Sequence, residues 1–224
     1  MVDWDGFVAG WAARDGGYDL RRAPAPVRGW LRFGYETARG LAAARVGPAA
    51  VTALGLVLSA AVPLVAGRGA TGLVLAAGLV LLASLAGTLD RALDLLTRSD
   101  GGSPRSAIWR VAAARAGEVG WLAGFWIAGV PGPLVAACGA LTGLHELVRE
   151  QALATGASRL GAQTVVEGPT RASVAVAGLA LAGLAALGGG SFAPGVLTVS
   201  MVVWLLLALV GFGQLSAVVQ KSLP

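Results

Sequence analysis

Asp90 and Asp94 stand four residues apart, a spacing that puts both carboxylates on one face of a helix. Arg110, Ala114 and Glu118 recur at the same interval and share a face of the next helix. A polar turn, Ser99-Asp-Gly-Gly-Ser-Pro104, joins the two segments. Two membrane helices with carboxylates facing each other across a hairpin are suited to metal-assisted phosphate chemistry. Here one side of the pair is basic or blank, because Arg110 and Ala114 offer a cation and a methyl group.

The elements that carry these residues are apolar. Of the 224 residues, 56% are hydrophobic and 13% charged, whereas a soluble domain is about a quarter charged. The composition is that of a polytopic membrane protein. Glycine is frequent, at 34 residues, as expected where membrane helices approach through small side chains. One cysteine, Cys138, and one histidine, His145, exclude an internal disulfide and any His/Cys metal cage. Cys138 reads as core, and His145 as a hydrogen-bonded residue near a helix end. The first 45 residues are polar and lack the early apolar core of a cleavable signal.

Hydropathy predicts six spans, roughly 49–66, 71–97, 107–130, 132–154, 170–188 and 195–216, each near the ~20 residues a bilayer needs. Residues 26–45 alternate Val27, Trp30, Leu31, Phe33 and Leu41 with Arg28, Arg32, Arg39 and Arg45, which predicts an amphipathic helix lying at the membrane surface. The chain thus divides into a cytoplasmic N-terminal segment, 1–45, and a six-span membrane domain, 46–224. Arg68 is the sole charged residue in the loops that this plan places outside, so both termini and the loops near 98–106 and 155–168 are expected in the cytoplasm. The expected location is a cell membrane, in a bacterium.

The charges within the spans gather at one level: Asp90, Arg91 and Asp94; Arg110, Arg115 and Glu118; His145, Glu146, Arg149 and Glu150; then Glu167 and Arg171. Charges in spans are costly and face a bundle interior or a wet cavity. A polar cavity large enough for a phosphate or nucleotide group is expected, open to the cytoplasm.

The order of these landmarks resembles the CDP-alcohol phosphatidyltransferases. Val46-Gly-Pro-Ala-Ala-Val-Thr-Ala-Leu-Gly-Leu is similar to the P-N-x-V-T-x-L-G-L opening of that family's first span, with Ala49 for the usual Asn and Thr52 kept. Leu144-His-Glu-Leu-Val-Arg149 is similar to a span-four segment whose arginines contact phosphate, with Gln151 replacing one of them. Val166-Glu-Gly-Pro-Thr-Arg171 is similar to the E-R-P-T-R entry to span five. The resemblance implies an all-α integral membrane fold, commonly a homodimer, that transfers a phospho-group from a CDP-linked donor to an alcohol and releases CMP. It implies Thr52, Arg149, Glu167, Thr170 and Arg171 as residues of the substrate and phosphate site.

The family's signature is D-x2-D-G-x2-A-R followed by G-x3-D-x3-D, whose four aspartates hold two divalent metals, the last acting also as base. Aligned on Leu96-Thr97 and Arg115-Ala-Gly-Glu118, the four positions are Gly87, Asp90, Arg110 and Ala114. Asp90 is retained, and Asp94 faces the same way as a second candidate ligand. Two Mg²⁺ ions need several shared oxygens, and Arg110 puts a positive charge where a cation would sit. Glu118, a turn beyond Ala114, is the one nearby candidate base on that face. Arg110 is instead expected to pair with Asp90 in a structural ion pair.

Two readings follow. One is an enzyme of phospholipid biosynthesis, using Mg²⁺ or Mn²⁺, whose degraded motif impairs catalysis. The other is a non-catalytic pseudoenzyme without a metal, which binds a membrane lipid or CDP-linked lipid, or pairs with an active paralogue as a heterodimer. Neither involves nucleic acid.

Overall fold

The computed structural model describes residues 2–14, 23–97, 104–155, 168–189 and 192–222. These residues form helices and their connections, with eight helices among them: α1 (Trp4–Arg14), α2 (Ala25–Ala43), α3 (Pro48–Ala66), α4 (Gly69–Thr97), α5 (Pro104–Ile127), α6 (Gly132–Ala154), α7 (Gly168–Leu187) and α8 (Ala193–Ser222). The six longer apolar segments read from hydropathy coincide with α3 to α8. Four of these, α3, α4, α7 and α8, are long and apolar enough to cross a membrane. α5 and α6 have the length, but Arg105, Arg110, Arg115 and Glu118 interrupt one and Glu146, Arg149 and Glu150 the other.

Helix ends follow local chemistry. Proline stands in the first turn of α2, α3 and α6, where its missing N–H removes a donor that has no helical partner. α2 closes on Arg45, whose φ of 59° lies in the left-handed region. The Val46 N–H then donates to the Leu41 carbonyl at 2.9 Å and the Arg45 N–H to Ala42 at 3.0 Å. α5 ends in the same way on Gly129, at φ 106°, with Val130 donating back to Phe125 at 3.1 Å. Glycine takes this geometry without strain, and arginine does so at a cost.

α3 packs on α4 and α5, α4 on α7, α7 on α8, and α8 on α6. Gly120 shows why α3 and α5 lie so close: a Cβ there would stand 2.6 Å from the Ser59 carbonyl oxygen. The Trp121 indole N–H donates to Ser59 Oγ at 3.0 Å across the same contact. The main core gathers Val62, Phe125, Leu179, Leu197, Met201 and Trp204. Outward-facing positions remain apolar: Val57, Leu64, Val119, Leu184 and Leu206 are all exposed. An apolar shell of this extent marks a lipid-facing surface rather than a solvated one.

The mixed composition of residues 1–23 conceals a helix. α1 buries Phe7, Val8 and Trp11 against Leu31 and Tyr35 of α2 and Leu89, Ala92 and Leu93 of α4. Trp4, Phe7, Trp11 and Tyr35 form an aromatic cluster with centroid separations of 5.0 to 5.6 Å. The Arg32 guanidinium lies over the Trp4 ring, 4.8 Å from its centre. α2 turns Leu31, Gly34, Tyr35 and Ala38 inward and leaves Arg28, Arg32, Phe33 and Arg39 exposed. The N-terminal segment thus packs against the end of α4 that carries Asp90 and Asp94.

Candidate functional site

The antiparallel run of helices brings the end of α4, the starts of α3, α5 and α7, and the end of α6 to one end of the bundle. The charged residues of the spans meet there in two groups.

The first group joins α4 to α5. Arg110 Nε stands 2.7 Å from Asp90 Oδ2, and Arg110 Nη2 stands 3.2 Å from Asp94 Oδ2. Both aspartates are 2% exposed, while the arginine side chain retains 23% exposure. The Nε contact is an ion pair at short range rather than an aligned hydrogen bond, and Asp90 Oδ1 accepts no hydrogen bond among the described residues. Thr52 stands beside Asp90, but its hydroxyl donates to the Pro48 carbonyl at 3.1 Å. A threonine hydroxyl has one proton to give.

These residues border a hollow of about 420 Å³ between the starts of α3 and α5. Thr52, Asp90, Arg105, Ser106, Trp109 and Arg110 contribute its polar and aromatic lining. Ile108 and Trp109 next to it are each 68% exposed, so the hollow adjoins the outer apolar surface.

The second group joins α5, α6 and α7. Arg171 is 2% exposed, and burial of a charge requires partners. Its Nε donates to Glu118 Oε1 at 3.0 Å and its Nη2 to Glu146 Oε1 at 2.7 Å. Arg115 Nη1 donates to the other oxygen of Glu118 at 2.7 Å and stands 3.7 Å from Glu146. His145 is fully buried, with Nδ1 3.9 Å from Glu146 Oε1. Arg149 is near enough to act electrostatically on both His145 and Glu146. Arg171 and Arg115 pair with the two glutamates, Arg149 adds a further positive charge nearby, and each glutamate already serves a guanidinium.

The residues singled out for phosphate binding therefore divide between two places. Thr52 borders the hollow beside Asp90. Arg171 lies in the second group, with Arg149 alongside Glu146 and the half-buried Thr170 next to Arg171 in the chain. Glu167 lies outside the described residues. Glu118, the candidate base, is engaged by Arg171 and Arg115 and belongs to the second group rather than to the hollow. Arg105 and Trp109 were not singled out by the sequence, because an arginine at a helix start reads as a side chain reaching for water.

A pair of divalent cations does not fit the first group. Asp90 and Asp94 supply oxygens from one helix only, and the guanidinium of Arg110 occupies the space facing them. Among the described residues, no three His, Cys, Asp or Glu side chains come together as metal ligands.

No protein-family model and no curated protein sequence matches the chain. Among solved structures, the crystal structure of Mycobacterium tuberculosis phosphatidylinositol phosphate synthase (PgsA1) with CDP-DAG bound matches with a TM-score of 0.64. The match has 24% sequence identity and covers 85% of this chain and 95% of that one. The order of landmarks in the sequence and this likeness agree: the chain has the CDP-alcohol phosphatidyltransferase fold.

Proposed function

We propose that the protein is a multi-pass membrane member of the CDP-alcohol phosphatidyltransferase family that binds a phosphate-bearing membrane lipid without transferring its phospho-group. In this reading α3 to α8 all span the bilayer, including the charged α5 and α6, whose polar residues face inward. α2 lies at the membrane surface, with Arg28, Arg32 and Arg39 toward the headgroups and Phe33 toward the acyl chains. Both termini are cytoplasmic, on the distribution of arginine. The protein acts as a dimer, with a second copy or with an active paralogue.

The observation that carries this reading is the position of Arg110, 2.7 Å from Asp90 and 3.2 Å from Asp94. A guanidinium is permanently charged and binds carboxylates through a fork of donors. It neutralises Asp90 inside the bundle as a metal would, yet it cannot polarise a phosphate by accepting its oxygens as ligands. A base is also lacking: Ala114 has no titratable group, and both oxygens of Glu118 serve arginines.

The experiment is CMP release from CDP-diacylglycerol by the purified chain, with Mg²⁺ or Mn²⁺ and a panel of acceptor alcohols that includes glycerol 3-phosphate, serine and inositol phosphate. No release above a protein-free control is expected. Metal-dependent release that disappears in Asp90→Asn would overturn the reading and restore the enzyme.

A further inference from the structure

A short turn joins α2 to α3, yet α2 packs chiefly on α4, with little contact along α3. The wedge left between the three helices is a groove of about 540 Å³. Leu41, Val46, Leu54, Leu58, Leu82 and Leu85 form most of its wall, and Thr37 is its one polar side chain among the described residues. Leu54 and Leu82 are half-exposed, so the groove is open along its outer side. Leu54 and Leu58 face this groove, whereas Thr52 and Leu56 border the hollow beside Asp90. The two therefore lie on opposite sides of α3.

Depth and charge select the occupant. From Ala50 to Leu58 the groove follows α3 for about 12 Å, at 1.5 Å per residue. One leaflet of a bilayer's apolar core is about 15 Å deep. A partner helix crossing the membrane would need a seat twice as long, while a single hydrocarbon chain needs this one. The end of the groove at Thr37, Leu41 and Val46 meets the turn between α2 and α3, and that level is basic. Residues 25–47 carry four arginines and one glutamate. Arg32 and Arg39 share that glutamate, Glu36. Arg45, next to Val46, is exposed and forms no ion pair among the described residues. Its φ of 59° is one that glycine takes without strain and arginine at a cost, so the turn itself does not account for an arginine here. A cation beside an apolar groove at headgroup depth matches a lipid whose phosphate is not offset by a cation of its own.

We propose that this groove is a binding site for an anionic phospholipid, with one acyl chain between α2, α3 and α4 and the phosphate on Arg45, so that the bound lipid ties α2 to α3. The proposal rests on the reading that α2 lies at the membrane surface and is independent of what the chain does at Asp90.

The test is native mass spectrometry of the full chain in detergent, titrated with phosphatidylglycerol or phosphatidylcholine of the same acyl chains. One tight phosphatidylglycerol adduct is expected, about fivefold stronger than that of phosphatidylcholine, the worth of one basic residue near an anionic headgroup. Arg45→Gly removes the cation and relaxes the backbone, so the chain stays folded. It is expected to bring phosphatidylglycerol down to the level of phosphatidylcholine, and Arg45→Lys to keep the preference. Ala50→Phe places a ring in the groove from an exposed position. It is expected to weaken both lipids about tenfold, the loss of about two buried methylene groups, with an unchanged melting temperature in lipid-free detergent. Where Ala50→Phe melts lower, the Arg45→Gly comparison decides. Equal binding of the two lipids by the natural chain, a preference that survives Arg45→Gly, or full binding by a folded Ala50→Phe chain would each overturn the proposal. A series of adducts with no tight first one would mark ordinary lipid solvation and overturn it too. Loss of a dimer in Ala50→Phe with lipid binding unchanged would give the groove to a second copy instead. CMP release would overturn the preceding reading and leave these binding results as they stand.

Discussion

Arg171 of α7 donates to Glu118 of α5 at 3.0 Å and, through its other end, to Glu146 of α6 at 2.7 Å. One buried guanidinium thus ties three helices together. α5 and α6 otherwise share little contact, and α7 packs chiefly on α4 and α8. The bond from Arg171 is a cross-link between parts of the bundle that apolar packing joins weakly.

Removing that cross-link leaves Arg115, 2.7 Å from Glu118 and 3.7 Å from Glu146, as the cation the two glutamates still share. Breaking a buried pair by deleting one partner typically costs about 3–5 kcal/mol. Arg171→Ala is expected to lower the melting temperature in detergent strongly, and Glu118→Gln less, because the amide keeps an acceptor. Melting curves followed by tryptophan fluorescence check this. An unchanged midpoint in Arg171→Ala would mean that water or lipid neutralises the site.

Arg110 and Asp90 form the second test. Arg110→Ala strands two carboxylates, and Asp90→Ala leaves the guanidinium with Asp94 alone. Each is expected to destabilise, Arg110→Ala the more. The double variant is expected to lose less than the sum, with a coupling of about 0.5–3 kcal/mol. Strict additivity in a double-mutant cycle of denaturation midpoints would show that the two side chains do not depend on each other.

Gly87 offers a way to rebuild a metal site. No atom lies within 4 Å of a Cβ placed there, so an aspartate meets no steric barrier. The variant Gly87→Asp, Arg110→Asp, Ala114→Asp brings the aligned carboxylates to four. It is expected to gain a rise in melting temperature on adding Mg²⁺ that the natural chain lacks, since a ligand bound only by the folded state stabilises it. Equal Mg²⁺ responses in the two proteins would count against the alignment of these positions.

Topology is checked by cysteine labelling. Phe192 precedes α8 and is 67% exposed, while Thr155 closes α6 at the charged end. In intact cells, Phe192→Cys is expected to react with a membrane-impermeant maleimide and Thr155→Cys only after permeabilisation. Cys138 is fully buried and gives little background. Labelling of both from one side would rule out the six-span arrangement.

The long helices were legible in the sequence because each bilayer-length run of apolar residues is a local property, independent of what it packs against, and four of them are long and apolar enough to cross a membrane. The kinship of the fold was legible for a related reason. Thr52, Asp90, Arg149 and Arg171 sit within short runs of sequence that resemble the family's motifs. α1 was not legible. Phe7, Val8 and Trp11 are too few among Asp3, Asp5 and Arg14 to show a period, and they acquire a role only where α2 and the end of α4 meet them. The partners of Arg171 were equally hidden. Glu118 precedes it by 53 positions and Glu146 by 25, and no local pattern states which of several inward charges will meet. That choice belongs to the tertiary structure: helix order and the close approach through Gly120 set which faces oppose. Once apolar packing has placed a charge inside the bundle, the high cost of leaving it alone selects its neighbour.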